Sequence, residues 1–115
     1  MLKIKRTNIY LTRGDSAYIT LGISGVEPSA ADVVRCQVRK EPTGGELIID
    51  AVAEQGAEDP TQYLWYIRPA DTAELTPGEY FWDAQIEITE TGDIFSFVPV
   101  SSFVVLDEVT EVDNG

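Results

Sequence analysis

Leu75-Thr76-Pro77-Gly78-Glu79-Tyr80 is the stretch on which the fold turns. Pro77-Gly78 is a turn signal, because proline presets φ and glycine accepts the φ values other residues avoid. A tyrosine just inside the strand that follows is the pattern of a tyrosine corner. Its ring packs in the core while its hydroxyl bonds a backbone group a few residues upstream. The competing reading is an ordinary core tyrosine after a type I or II turn. Both start a strand at Tyr80 and set its inward face: Tyr80, Trp82, Ala84, Ile86 and Ile88 alternate with Phe81, Asp83, Gln85, Glu87 and Thr89.

The same period of two extends in both directions. Upstream, Gln62–Arg68 places Tyr63, Trp65 and Ile67 on the core face, and Pro69 ends it. Asp71 then has the character of an N-cap, with Glu74 three residues on, so one helical turn is expected through Leu75. Further back, Val33–Lys40 alternates Val34, Cys36 and Val38 with Val33, Arg35, Gln37 and Arg39. Ala17–Ile23 alternates Ile19, Leu21 and Ile23 with Tyr18, Thr20 and Gly22. A first strand spans Lys3–Leu11, broken near Thr7-Asn8, and a weaker one spans Glu46–Ala53. Downstream, Glu90-Thr91-Gly92-Asp93 closes a hairpin. Ile94–Leu106 returns, interrupted at Pro99, which suits an edge strand or a bulge. About seven strands with turns every 8–12 residues are the signature of an immunoglobulin-like antiparallel β-sandwich. Residues 1–106 read as one domain, and 107–115 as a frayed acidic tail.

A resemblance joins these elements. The run from Arg68-Pro69-Ala70-Asp71-Thr72 through Leu75-Thr76-Pro77-Gly78-Glu79-Tyr80 to Phe81-Trp82-Asp83-Ala84-Gln85-Ile86 resembles small Ig-like tail and baseplate proteins of tailed bacteriophages. The type is the N-terminal domain of siphophage upper baseplate proteins. Leu11-Thr12-Arg13-Gly14-Asp15-Ser16 and Phe103-Val104-Val105 with Val109-Thr110 are similar to that group again, so the likeness covers most of residues 8–110. Fibronectin type III domains share the Leu-x-Pro-Gly theme with different spacing. The resemblance implies a non-catalytic virion protein of a phage or prophage, in tail, baseplate or connector. Its partners would be other virion proteins or further copies of itself. Family members often continue into stalk or receptor-binding parts, so a chain ending at Gly115 suggests a stand-alone decorating or connector protein. The alternative function is a general bacterial Ig-like adhesion or carbohydrate-binding module.

Composition narrows the chemistry. With 115 residues and 43% hydrophobic content, one self-sufficient core is expected. There is no histidine, which removes Ser-His-Asp and Cys-His catalysis and most zinc sites. The carboxylates Glu74 and Glu79, or Asp83 and Glu87, are acid–base candidates by type, but Asp83 and Glu87 fall on the solvent-facing side of a strand, where surface charge is the default. Calcium among Glu54, Glu58 and Asp59, or at Glu90 and Asp93, lacks EF-hand spacing. Arg13-Gly14-Asp15 is an integrin-type tripeptide that also reads as a plain turn. The lone Cys36 reads as a small core hydrophobe and forms no internal disulfide. No enzyme activity, cofactor, metal or small-molecule substrate is expected. Neither a signal peptide nor a membrane span is visible, so the expected course is cytoplasmic synthesis followed by virion assembly.

The net charge of −12 disfavours nucleic acid. It is also uneven. Residues 1–40 hold seven of the eight basic side chains against three acids, and residues 41–115 hold Arg68 against seventeen. Lys3, Lys5, Arg6 and Arg13 are the expected free positive end and contact surface. At least one of Arg35 and Arg39 is expected to contact Asp83 or Glu87 across neighbouring strands.

Overall fold

The computed structural model describes the backbone of residues 2–5 and all of residues 7–108. Eight strands and one short helix follow in the order β1 (Leu2–Lys5), β2 (Asn8–Thr12), β3 (Ala17–Gly22), β4 (Val33–Arg39), β5 (Leu47–Gln55), β6 (Gln62–Ile67), α1 (Pro69–Thr72), β7 (Gly78–Ile88) and β8 (Asp93–Leu106). The class is all-β. The single strand expected over Lys3–Leu11 is instead a hairpin. The break near Thr7 is a reversal, after which β2 runs back along β1 with Leu2 opposite Leu11 and Lys5 opposite Asn8.

The hydrogen-bonded ladder has the order β1-β2-β8-β7-β4-β5-β6-β3. All pairs are antiparallel except β2 with β8, where Ile9 to Thr12 lie beside Phe103 to Leu106 in parallel. β5 joins two layers. Leu47 to Ala53 pair with β4, and then Glu54 and Gln55 pair with Leu64 and Tyr63 of β6. The ladder thereby folds over and brings β6 against β7 and β8. The Trp65 ring lies 5.4 Å from that of Trp82 and 6.2 Å from Phe103.

Period-two patterning explains the core. Val34, Cys36 and Val38 of β4, Tyr63, Trp65 and Ile67 of β6, and Tyr80, Trp82, Ala84 and Ile86 of β7 all face inward and are buried, as their spacing predicts. Burying side chains as large as Trp65, Tyr63 and Phe103 contributes on the order of 1.5–3 kcal/mol each. The Trp82 indole N–H donates to the Thr7 carbonyl at 2.9 Å, tying the first hairpin to β7.

Pro99 sits in a bulge. Between Val98, opposite Ala84, and Ser101, opposite Trp82, β8 has one residue more than β7. The missing proline N–H therefore breaks no regular pair, and the Ser101 hydroxyl donates to the Pro99 carbonyl at 2.8 Å. The helical turn begins earlier than expected. Arg68 is the N-cap and Pro69 the first helical residue, a position where its missing N–H costs nothing. Asp71 is thus the third helical residue, not the cap, and its carboxylate accepts from the Arg68 N–H at 2.8 Å.

Candidate interaction surfaces

The corner is one joint of a larger knot. The Tyr80 hydroxyl donates to the Thr76 carbonyl at 2.7 Å, and Leu75 packs against the core. Pro77 leads into Gly78, whose φ of +153° is a conformation open chiefly to glycine. The Arg13-Gly14-Asp15 turn docks beside this corner. The Gly14 N–H donates to the hydroxyl of Thr72 at 2.8 Å, and Thr72 is fully buried in α1. The Arg13 guanidinium lies 3.1 Å from Asp107 and 3.6 Å from Glu108 and also donates to the Leu75 carbonyl.

Arg13 is therefore not part of a free positive end. Its charge is spent within the fold, joining the corner to the start of the acidic tail. The other members of that expected surface, the side chains of Lys3 and Lys5 and the whole of Arg6, lie outside the described residues.

The outer face of the β4–β7 pair also differs from expectation. The strands are antiparallel neighbours, yet their register sets Gln37 opposite Asp83, Arg35 opposite Gln85 and Arg39 opposite Phe81. Arg35 turns to the other side, to Asp50 of β5 at 3.2 Å, which Gln37 also reaches. Arg39 donates to the Gly45 carbonyl and to Gln37. Neither arginine forms an ion pair with Asp83 or Glu87 among the described residues. Partial burial beside the Pro99 bulge raises the Asp83 carboxyl above its ordinary value, and the field of Arg39 only partly opposes this. Asp83, Arg39, Phe81 and Val100 line a hollow of about 220 Å³ roofed by the Glu41–Gly44 turn.

A second surface lies on the outward side of β3 and β6. Tyr18 and Tyr66 are directly opposed and stack at 4.7 Å with nearly parallel planes, and the Arg68 guanidinium lies 5.4 Å from the Tyr66 centroid. Tyr18 is 62% exposed, with Leu64 and Val52 exposed nearby. The alternation already placed Tyr18 and Tyr66 outward. What it lacked was the β3–β6 pairing that makes them one patch. Between β5 and β6, where the two strands separate, is a cleft of about 400 Å³ lined by Asp50, Val52, Glu54, Leu64, Trp65 and Arg68. Trp65 is 1% exposed, and its indole N–H has no hydrogen-bond partner.

Cys36, Asp59, Asp93 and Glu79 are held within the fold. Burial, aided by the charge of Asp83, pushes the Cys36 thiol up to about 12, so it stays protonated and inert. Asp59 accepts from the Thr61 N–H and hydroxyl, which hold its carboxyl below the usual range. Asp93 accepts from Thr91, and Glu79 from the Ser102 hydroxyl at 2.6 Å. Among the described residues, no three His, Cys, Asp or Glu side chains gather as a metal site. Among the described residues, no helix is long and apolar enough to cross a membrane. No protein-family model and no curated protein sequence matches the chain.

Proposed function

We propose that the chain is a non-catalytic structural component of a tailed-phage or prophage virion, in the tail, baseplate or connector, acting through protein–protein contacts. The observation that carries this reading is the apolar and aromatic face formed by Tyr18, Tyr66, Leu64 and Val52, with Val52 60% exposed. A contiguous exposed apolar patch is characteristic of a contact surface. The virion context comes from the likeness of the Arg68–Ile86 run and the Arg13-Gly14-Asp15-Ser16 turn to Ig-like tail proteins. In this reading the corner is scaffold, the faces it holds are the working parts, and no cofactor, small-molecule substrate, nucleic acid or membrane is involved.

An Ig-like adhesion or carbohydrate-binding module is the second reading, favoured by the exposed Tyr18–Tyr66 stack, since sugars pack on aromatic faces. Antibodies against the purified chain separate the two. Labelling of particles released by the source bacterium after prophage induction supports the virion reading. Unlabelled particles, together with saturable quenching of tyrosine fluorescence by oligosaccharides, support the second.

A further inference from the structure

The cleft between β5 and β6 is an interruption of the ladder. Among the described residues β6 pairs with β5 only at Tyr63 and Leu64, so beyond Leu64 its edge on that side has no strand partner there. β5 likewise pairs with β4 through Leu47 to Ala53 while its facing edge is open toward the cleft. Strand edges of this kind are templates for an added strand. Two further features suit an occupant. Trp65 lines the cleft, and its buried indole N–H has no hydrogen-bond partner among the described residues, so the β6 side of the cleft holds an unsatisfied polar group. The rim carries Asp50, Glu54 and Asp71 against Arg68, and with Asp50 already paired to Arg35 it keeps a net negative charge centred on Glu54 and Asp71.

We propose that this cleft receives, as an added strand, the N-terminal segment Leu2–Lys5 of a second copy of the chain. The proposal rests on the reading of the protein as a contact module. Leu2-Lys3-Ile4-Lys5 alternates apolar and basic residues and, with Arg6, holds the densest positive charge in a chain of net charge −12. It suits a cleft with an apolar wall and an acidic rim. Among the described residues β1 is the last strand of the ladder and pairs with β2 alone, so its outer edge can accept a neighbour without leaving its own hairpin. Donor and acceptor are different surfaces, so the contact is head-to-tail and its repetition builds a ring or a filament.

Sedimentation velocity of the full chain over a concentration series tests this. The wild type associates with concentration. The double reversal K3E/K5E weakens association by about tenfold or more. E54K, at an exposed rim position, weakens it as well, and combining all three substitutions restores it. Near-ultraviolet tryptophan dichroism reports that each variant is folded. A wild type that stays monomeric throughout, or K3E/K5E associating as strongly as wild type, overturns the proposal. A monomeric chain that still labels released particles removes the cleft contact while the virion reading stands. Association through the cleft with unlabelled particles does the reverse.

Discussion

Replacing Tyr80 with phenylalanine isolates the corner's hydrogen bond from its packing. The ring, 7% exposed, stays in place, and only the hydroxyl that donates to Thr76 at 2.7 Å is removed. A partly buried hydrogen bond of this kind contributes a net stability of about 1 kcal/mol. The desolvation penalty that often enlarges such losses does not apply in full, because Thr76 is exposed and water can reach its carbonyl. The expected loss in Tyr80→Phe is therefore about 1 kcal/mol. In urea unfolding it moves the midpoint down by roughly 0.5 M with the slope unchanged, and in a thermal melt by about 4 °C. Tyr80→Ala removes the ring as well and costs about 3–5 kcal/mol. The reasoning fails if Tyr80→Phe unfolds at the wild-type midpoint. It fails equally if the phenylalanine variant loses as much as the alanine one, since the hydroxyl would then be organising far more than a single contact.

Thr72→Val keeps the volume of a fully buried side chain and strands the Gly14 N–H, so unfolding in urea should show a loss of about 1–3 kcal/mol. Cys36 should resist a thiol reagent in the folded protein at pH 8 and react at once in denaturant; rapid reaction in native buffer contradicts its burial. Because that thiol's value is raised on folding, its contribution to stability is complete below the ordinary 9.0 and declines as pH rises from there to about 12. Asp83→Asn should raise the melting temperature at pH 7, because burial raises this carboxyl and disfavours its charged form. That gain sets in as pH rises through the ordinary 3.8 and vanishes well below it, where both side chains are neutral, so an equal gain at pH 2 would refute the cause.

The strands legible in the sequence are those whose two faces differ most. Val33–Lys40, Gln62–Arg68 and Tyr80–Thr89 alternate cleanly, and they correspond within a residue or two to β4, β6 and β7. The first hairpin was less legible because Lys3–Leu11 has apolar residues on both sides of a reversal that no glycine or proline marks. The start of α1 was misplaced because Asp71 suits a cap and the third helical position equally, and the chain used Pro69 to decide.

Surface pairing was the least legible property. Arg35 could reach acids on either flanking strand, and the β4–β5 register brought Asp50 nearer than Asp83 or Glu87. Arg13 looked free because its partners Asp107 and Glu108 lie more than ninety residues away. The separation of β5 from β6 left no local signal. It follows from β5 joining two layers, which only the assembled ladder reveals.

The proposal that the N-terminal segment of a second copy adds to the open edges of β5 and β6 is tested most directly at Trp65. The measurement is a ¹H–¹⁵N spectrum of the full chain titrated with a synthetic peptide of its residues 1–7, with the Trp65 indole peak assigned from Trp65→Phe. Its indole peak should shift saturably as the cleft that Trp65 lines is filled, and a peptide with Lys3 and Lys5 replaced by glutamate should leave it unmoved. An indole peak that ignores both peptides, or moves equally with both, would contradict the account.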